Sequence, residues 1–291
     1  MLVHIKDIVK KAEQESYAVG AFNIITLESV LGVARAAVKA NSSAIIQVSE
    51  STIRYMGIKP ITHIVSTVAK NVAANVPIAL HLDHGTSFDS VFECINAGFT
   101  SVHIDASSLP LDENISLTKQ VVKVAHAKHV WVQGEVGAMM GGHGNIRGNL
   151  KKIPLADLAD VIKFVRETKV DTIAAAVGTA HGVYANEDIV FSLLKAIKKA
   201  VAIPFILHGG SGVPNDKIKK AIREGVNIIN IGTDLKVAFC QTLVKVCLEN
   251  RDETDPRNLL KPTIKAIEKV VYEKMKLFGS AGRFVVGGRE T

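Results

Sequence analysis

Eight short runs rich in β-branched and small apolar residues recur along the chain, and most are followed by a stretch whose apolar residues return every three or four positions. The runs are AVGAFNI (18–24), SAIIQVS (43–49), PIALHLD (77–83), SVHIDA (101–106), WVQGEVG (131–137), TIAAAVG (172–178), PFILHGG (204–210) and IINIGTD (228–234). Between them lie segments such as LESVLGVARAAVKA and ENISLTKQVVKVAHA, which carry the period of an amphipathic helix. Strand–helix alternation repeated eight times points to an α/β fold of one kind, a parallel (β/α)8 TIM barrel. A doubly wound sheet is the structural rival, yet no GxGxxG follows the first run. A chain of 291 residues suits one barrel, so a single domain over 1–291 is expected.

Beyond the eighth run the chain reads LKVAFCQTLVKVCLEN, DPRNLL and KPTIKAIEKVVYEKMKLFG, a C-terminal helical extension over about 236–280. Pro262 is expected in the first turn of the last helix and Gly279 at its end. Helices in excess of a minimal barrel often pack on another subunit, so a homodimer or homotetramer is expected.

Bulk properties narrow the function. Hydrophobic residues make up 47% and charged residues 22%, which supports a large core and argues against disorder. The first twenty residues mix Lys6, Asp7, Lys10, Lys11, Glu13 and Glu15 with apolar ones, unlike a signal peptide, and no apolar run approaches the ~20 residues of a membrane helix. A cytoplasmic protein without membrane contact is expected. Cys94, Cys240 and Cys247 form no CxxC pair and read as packing residues of a reduced compartment. The net charge of +7 is spread along the chain, aromatics are only 5%, and no nucleic-acid-binding motif appears. Anionic metabolites suit that charge, and nucleic acid is not expected as a partner.

Barrel enzymes build their sites at the C-terminal ends of the strands, and the polar residues of this chain gather there. The third run ends in Asp83-His84, the fourth in Asp105 to Ser108, the fifth in Glu135, the sixth in Gly178 to Gly182, the seventh in His208 to Ser211, and the eighth in Asn230 to Asp234. Histidines at matched heights on runs three, six and seven make an open zinc-site pattern, with a fourth position for substrate. His81, one pleat below Asp83, reads as a core histidine, and His103, inside a strand, as a packing residue. Alternation sends His84 away from the cavity, so its role requires the backbone to turn at Gly85. The loops HGGSG and NIGTD offer small residues, N–H groups and hydroxyls where barrels commonly hold phosphate.

With HLDHGTS (81–87), the motifs FNI, QVS, SVHIDASSLPLDENISLTK, GTAHGVY, HGGSG, NIGTDLKVAF and LFGSAGR resemble, in order and over nearly the whole chain, those of the class II zinc-dependent ketose-bisphosphate aldolases. The similarity is to the shorter branch, which holds fructose-1,6-bisphosphate and tagatose-1,6-bisphosphate aldolases. It implies that His84, His181 and His208 bind catalytic Zn2+, that Asp83 is the acid/base at the C4 hydroxyl, and that Asp105 and Glu135 stand near the metal. It further implies that Gly182, Gly209, Gly210, Ser211, Asn230 and Thr233 hold the dihydroxyacetone-phosphate half of a phosphorylated ketose, and that Asn23, Ser49 and Arg257 line the cleft. A second divalent or a monovalent cation is left open.

Cleaving the C3–C4 bond of a ketose needs a base for the C4 hydroxyl proton and an electron sink for the carbanion left at C3, here Asp83 and a zinc Lewis acid. A lysine Schiff base is the other solution, and no lysine stands at a strand end. Three positions depart from the family. GGHGN (141–145) replaces a loop with an acidic residue after GG, which leaves enediolate protonation to His143, to another residue or to none. Ala185 replaces a lysine, and Ala106 stands in the glycine position of IDGS. These bear on substrate identity and turnover. An aldolase for another phosphorylated ketose or deoxy-keto acid, and a catalytically weak subunit that binds metal and sugar phosphate, are the alternatives.

Overall fold

A computed structural model describes residues 1–137, 147–148, 155–180, 183–184 and 188–284. Eight parallel strands close into a barrel in chain order: β1 (Val19–Asn23), β2 (Ala44–Ser49), β3 (Ile78–Gly85), β4 (Ser101–Ile104), β5 (Trp131–Val136), β6 (Thr172–Ala175), β7 (Phe205–Leu207) and β8 (Val226–Ile231), which pairs back onto β1. Each lies within the run that suggested it or extends it by two residues. A short parallel pair, 147–148 with 183–184, stands outside the barrel.

The side-chain period of two divides each strand between two cores. Outward residues such as Phe22, Ile46, Leu80, Leu82, Val102, Ile173, Phe205 and Ile231 pack in one large cluster against the helices. Inward residues Val19, Ala21, Ile45, Ala79, Ala174, Ile206 and Ile228 form a second cluster at the N-terminal end of the barrel. Helix α1 (Ile5–Gln14) closes that end, burying Ile5, Ile8, Val9 and Ala12 on one face. Each of the larger three stabilises the closure by roughly 1.5–3 kcal/mol relative to exposure. The apolar plug confines the polar interior to the opposite mouth.

The surrounding helices are α2 (Leu27–Ala40), α3 (Glu50–Met56), α4 (Ile58–Asn71), α5 (Phe88–Asn96), α6 (Leu111–Ala127), α7 (Leu158–Thr168), α8 (Phe191–Ala200) and α9 (Asn215–Arg223), followed by α10 (Thr233–Glu249) and α11 (Pro256–Phe278). Several start where sequence chemistry places a cap. Thr26 and Ser29 form a reciprocal capping box on α2, and Ser87 and Asp157 cap α5 and α7. The expected position of Pro262 needs correction. Asp255 caps the last helix and Pro256 takes its first position, so Pro262 lies inside the helix, where it forgoes one backbone hydrogen bond. Gly279 ends α11 in the left-handed conformation, as expected. No helix among the described residues is long and apolar enough to cross a membrane.

Candidate metal and catalytic site

Above the apolar plug, inward positions turn polar. Gln47, His81, Ser101 and Gln133 come first, and Asn23, Asp83, His103, Glu135, His208 and Asn230 follow nearer the mouth; all except Asn23 are buried. Buried polar groups must find partners or cost stability, and most here do. His81 Nδ1 lies 2.9 Å from Ser101 Oγ, and burial pushes its ring down to about 3, so it is a neutral core residue. Gln47 donates to Asn23 Oδ1 (2.7 Å), and Asn23 Nδ2 donates to Asp83 Oδ2 (2.7 Å). Asn230 Nδ2 reaches Asp83 Oδ1 at 3.5 Å. Asn23, read from sequence as lining the cleft, therefore also orients Asp83.

His84 reaches the cavity by a route different from the one expected. The register of β3 on β4 runs His81 to Ser101 and Leu82 to Val102, then skips to Gly85 opposite Ile104. One extra residue makes a β-bulge, and His84 itself takes the left-handed backbone, φ 51°. The turn thus falls on His84, not on Gly85. Such a conformation in a non-glycine residue costs on the order of 1–3 kcal/mol and is kept only where neighbours enforce it. The ring then lies 4.7 Å, centroid to centroid, from both His103 and His208. Its Nδ1 is 2.6 Å from Asp105 Oδ2, while Ser107 holds Asp105 Oδ1 from the other side. A carboxylate on Nδ1 sets the tautomer that offers Nε2 to a metal.

Ring nitrogens of His84, His103 and His208 and an oxygen of Glu135 all lie within 4.8 Å of one another. His103 therefore corrects its reading as a packing residue: alternation along β4 turns it inward beside Asp105, a signal legible from the period alone. Glu135 Oε2 is 3.3 Å from His103 Nε2 and 3.8 Å from His208 Nε2. Both Glu135 oxygens are buried with no hydrogen-bond donor among the described residues. That combination fits a cation: a buried carboxylate with no donor costs several kcal/mol unless it is protonated or meets a positive charge.

Burial and neighbouring charges shift the groups of this cluster in opposite directions. Burial, then Asp105, pushes the Glu135 carboxyl well above the ordinary range. Burial alone would lower His84, but Asp83, the bond to Asp105 and the charge of Glu135 together raise it to about 10. Asp83 and Asp105 move the other way. Burial opposes their ionisation, yet His84 and Asn23 hold Asp83 low, and His84 with His103 and Ser107 hold Asp105 low. Burial drops His103 to about 3.

His208 meets two amides, Gln133 Nε2 at 2.8 Å from its Nε2 and Asn230 Nδ2 at 3.2 Å from its Nδ1. A neutral imidazole accepts at only one nitrogen. One of these two contacts is therefore made by a ring N–H, and Gln133, which also lies beside the ring of His81, stands between the two imidazoles.

Around the rim, Ser49 lies opposite Asp83 in register and caps α3. Gly209, at φ 66°, passes so close to Ala180 that a Cβ would meet its carbonyl oxygen. Gly210 N–H donates to Asn230 O (3.2 Å), and Ser211 Oγ accepts from Asp234 N–H (3.3 Å), which joins the loop after β7 to Thr233 and Asp234 at the start of α10. HGGSG and NIGTD therefore meet at one edge of the mouth. Arg257 has an exposed side chain that engages Asp255 at the start of α11 (2.7 Å). His181, Gly182, His143 with the rest of GGHGN, and Ala185 lie outside the described residues. Gln47, Gln133 and His103 are the site residues that motif reading missed.

A closed parallel barrel with imidazoles and carboxylates gathered at its strand ends is the architecture of a barrel enzyme. The family follows from comparison. Residues 3–283 match the family model for fructose-bisphosphate aldolase class-II, and the chain belongs to that family of lyases. It is 40% identical over 283 residues, 97% of each chain, to the 6-phospho-5-dehydro-2-deoxy-D-gluconate aldolase of Bacillus subtilis (strain 168). It is 38% identical to the fructose-bisphosphate aldolase of Helicobacter pylori (strain ATCC 700392 / 26695), over 97% of this chain and 100% of that one. The crystal structure of the YdjI aldolase from Escherichia coli K12 superposes with a TM-score of 0.84 at 30% identity, covering 98% of this chain and 100% of that one.

Proposed function

We propose that this protein is a zinc-dependent aldolase that cleaves a ketose 1,6-bisphosphate, fructose 1,6-bisphosphate before tagatose 1,6-bisphosphate, into dihydroxyacetone phosphate and glyceraldehyde 3-phosphate. The observation that carries the reading is a buried carboxylate, Asp83, held by two amides directly beside a cluster able to bind a divalent ion. His84 and His208, with His181, would hold the metal, and Glu135 stands within reach. A divalent ion held there would supply a Lewis acid that polarises the ketose carbonyl, into which the electron pair of the breaking C3–C4 bond moves. Asp83, kept ionised by Asn23 and its charged neighbours, takes the C4 hydroxyl proton. Asp105 fixes the tautomer of His84. The loops at Gly209 to Ser211 and Asn230 to Thr233, with Gly182, would seat the phosphate on backbone N–H groups and hydroxyls. Ser49 and Arg257 are proposed cleft residues, and His143 the group that returns a proton to C3.

We further propose that the chain acts as one unit, a barrel with an extension over about 236–280, in the cytoplasm, as a homodimer or homotetramer. A second substrate reading has specific support. The B. subtilis relative is named for a deoxy-keto-gluconate phosphate, and GGHGN, Ala185 and Ala106 depart from the motif pattern of the ketose-bisphosphate aldolases. The test is release of dihydroxyacetone phosphate from fructose and tagatose 1,6-bisphosphates and from 6-phospho-5-dehydro-2-deoxygluconate, before and after chelation and zinc add-back. Zinc-restored turnover supports the mechanism, and the ratio of the three rates names the substrate. Turnover that survives complete chelation would sink the metal reading.

A further inference from the structure

The four grouped side chains are not equivalent, and the bulge in β3 distinguishes them. Three steps on β3, from Leu82 to Gly85, match two on β4, from Val102 to Ile104. The inserted residue takes one backbone N–H, that of His84, out of the regular ladder, on the residue whose φ is 51°. A buried N–H left without an acceptor costs about 1–3 kcal/mol. His103 Nδ1 accepts it at 3.2 Å. The carbonyl oxygen of His103 also sits 2.7 Å from where a Cβ on Gly85 would stand, so His103 meets both residues of the turn.

A ring nitrogen that accepts an N–H carries no proton, so the ring proton of His103 is on Nε2, which lies 3.3 Å from Glu135 Oε2 without the alignment of a hydrogen bond. With one lone pair engaged by His84 and the other nitrogen protonated, the imidazole has no electron pair to offer an ion. We infer that His103 is a positioning residue: by accepting the His84 backbone N–H it pins the bulge that turns His84 into the cavity, and it is not itself a ligand of the metal. The first half stands on the hydrogen bond alone. The second half rests on the metal-aldolase reading.

Three variants of the full-length protein test it. In His103→Asn the side-chain oxygen can occupy the place of Nδ1, whereas His103→Gln carries its amide to the place of Nε2 and His103→Leu has no acceptor. Amide hydrogen exchange at His84, followed in metal-free protein, should remain slow in wild type and His103→Asn and become fast in His103→Leu and His103→Gln. Equal protection in all four would overturn the inference. Competition with a chelator should show metal affinity within a few-fold of wild type for His103→Asn and reduced roughly 10–100-fold for the other two. The cobalt(II) absorption spectrum of His103→Asn should match wild type; loss of an imidazole ligand from that spectrum would make His103 a ligand and overturn the second half. Should His103→Leu not fold, His103→Gln gives the same comparison. Wild-type protein that binds neither zinc nor cobalt would end the metal reading instead, and the exchange data would still decide whether His103 holds His84.

Discussion

Asp83 illustrates how little of a residue's chemistry lies in the residue itself. Burial alone would favour its neutral form, and its neighbours reverse that, first His84 at 3.7 Å, then the Asn23 amide at 2.7 Å, then His103 and His81. Replacing Asp83 by Ala should reduce aldol cleavage by about 10²–10⁴-fold, the range for loss of a positioned acid or base, while zinc content stays at the wild-type value. Elemental analysis beside the rate assay checks both, and retained turnover would remove the assigned base. The partners of Asp83 were only partly legible in the sequence. Asn23 and Asn230 stand in motifs, FNI and NIGTD, and Gln47, which holds Asn23, opens the motif QVS, of which only Ser49 was read as a site residue. His103 was within reach of the same alternation argument that placed His81, and was lost because a mid-strand histidine has many uses. Gln133 could not be found by motif at all, since its role depends on two rings from β3 and β7 converging on it.

At the scale of elements, strand and helix identities were readable because period, caps and glycines agreed along the chain, and all eight barrel strands fall where the apolar runs are. The bulge in β3 was not readable. Alternation predicts His84 facing the helices, and only the pairing with β4 reveals the extra residue. The turn is nonetheless supported locally. A methyl group on Gly85 would come within 2.7–2.8 Å of the His103 carbonyl oxygen, Val91 and Leu82. The carbonyl belongs to the ladder and cannot yield, so Gly85→Ala should destabilise the fold by about 1–3 kcal/mol and weaken zinc binding with it, as measured by denaturant titration and metal competition. Just beyond, Glu50 at the start of α3 accepts from Thr86 N–H (2.7 Å), Thr86 Oγ1 (3.0 Å) and Ser90 Oγ (2.6 Å), which ties the exit of β3 to α5. Burial opposes its charge, but these bonds and Arg54 leave the carboxyl below the ordinary glutamate range. A carboxyl held low in the folded state stabilises above its unfolded value and loses that contribution as pH falls through the folded value. The stability gap between wild type and Glu50→Gln should therefore be greatest near neutrality, roughly 1 kcal/mol once discounted for its exposure to solvent, and close in acid below the usual glutamate range. A gap that widened in acid would contradict the assigned bonds.

The whole molecule divides its labour between the two ends of the barrel and the extension that follows. α1 seals the N-terminal end with an apolar plug, and the polar interior opens only at the mouth where the strands end. α11 closes the ring of helices by packing on α2, with Ile264, Ile267, Val271, Met275 and Phe278 buried. α10 is different. Of its seventeen residues only Leu235 is buried, and Val244 and Leu248 are 59% and 61% exposed beside Cys240 and Cys247. Positions 240, 244, 247 and 248 follow the spacing of a single helix face, an apolar stripe of the kind that marks a protein contact. If that stripe is where subunits meet, light scattering should give a multiple of the chain mass, and Leu248→Glu should lower it. Thiol labelling gives a second reading. Cys94 is buried with its thiol pushed up to about 12, so it should resist alkylation in every native form. Cys240 and Cys247 should label slowly in the wild-type assembly and quickly in Leu248→Glu. A wild-type oligomer in which both thiols label at once would move the subunit contact away from α10.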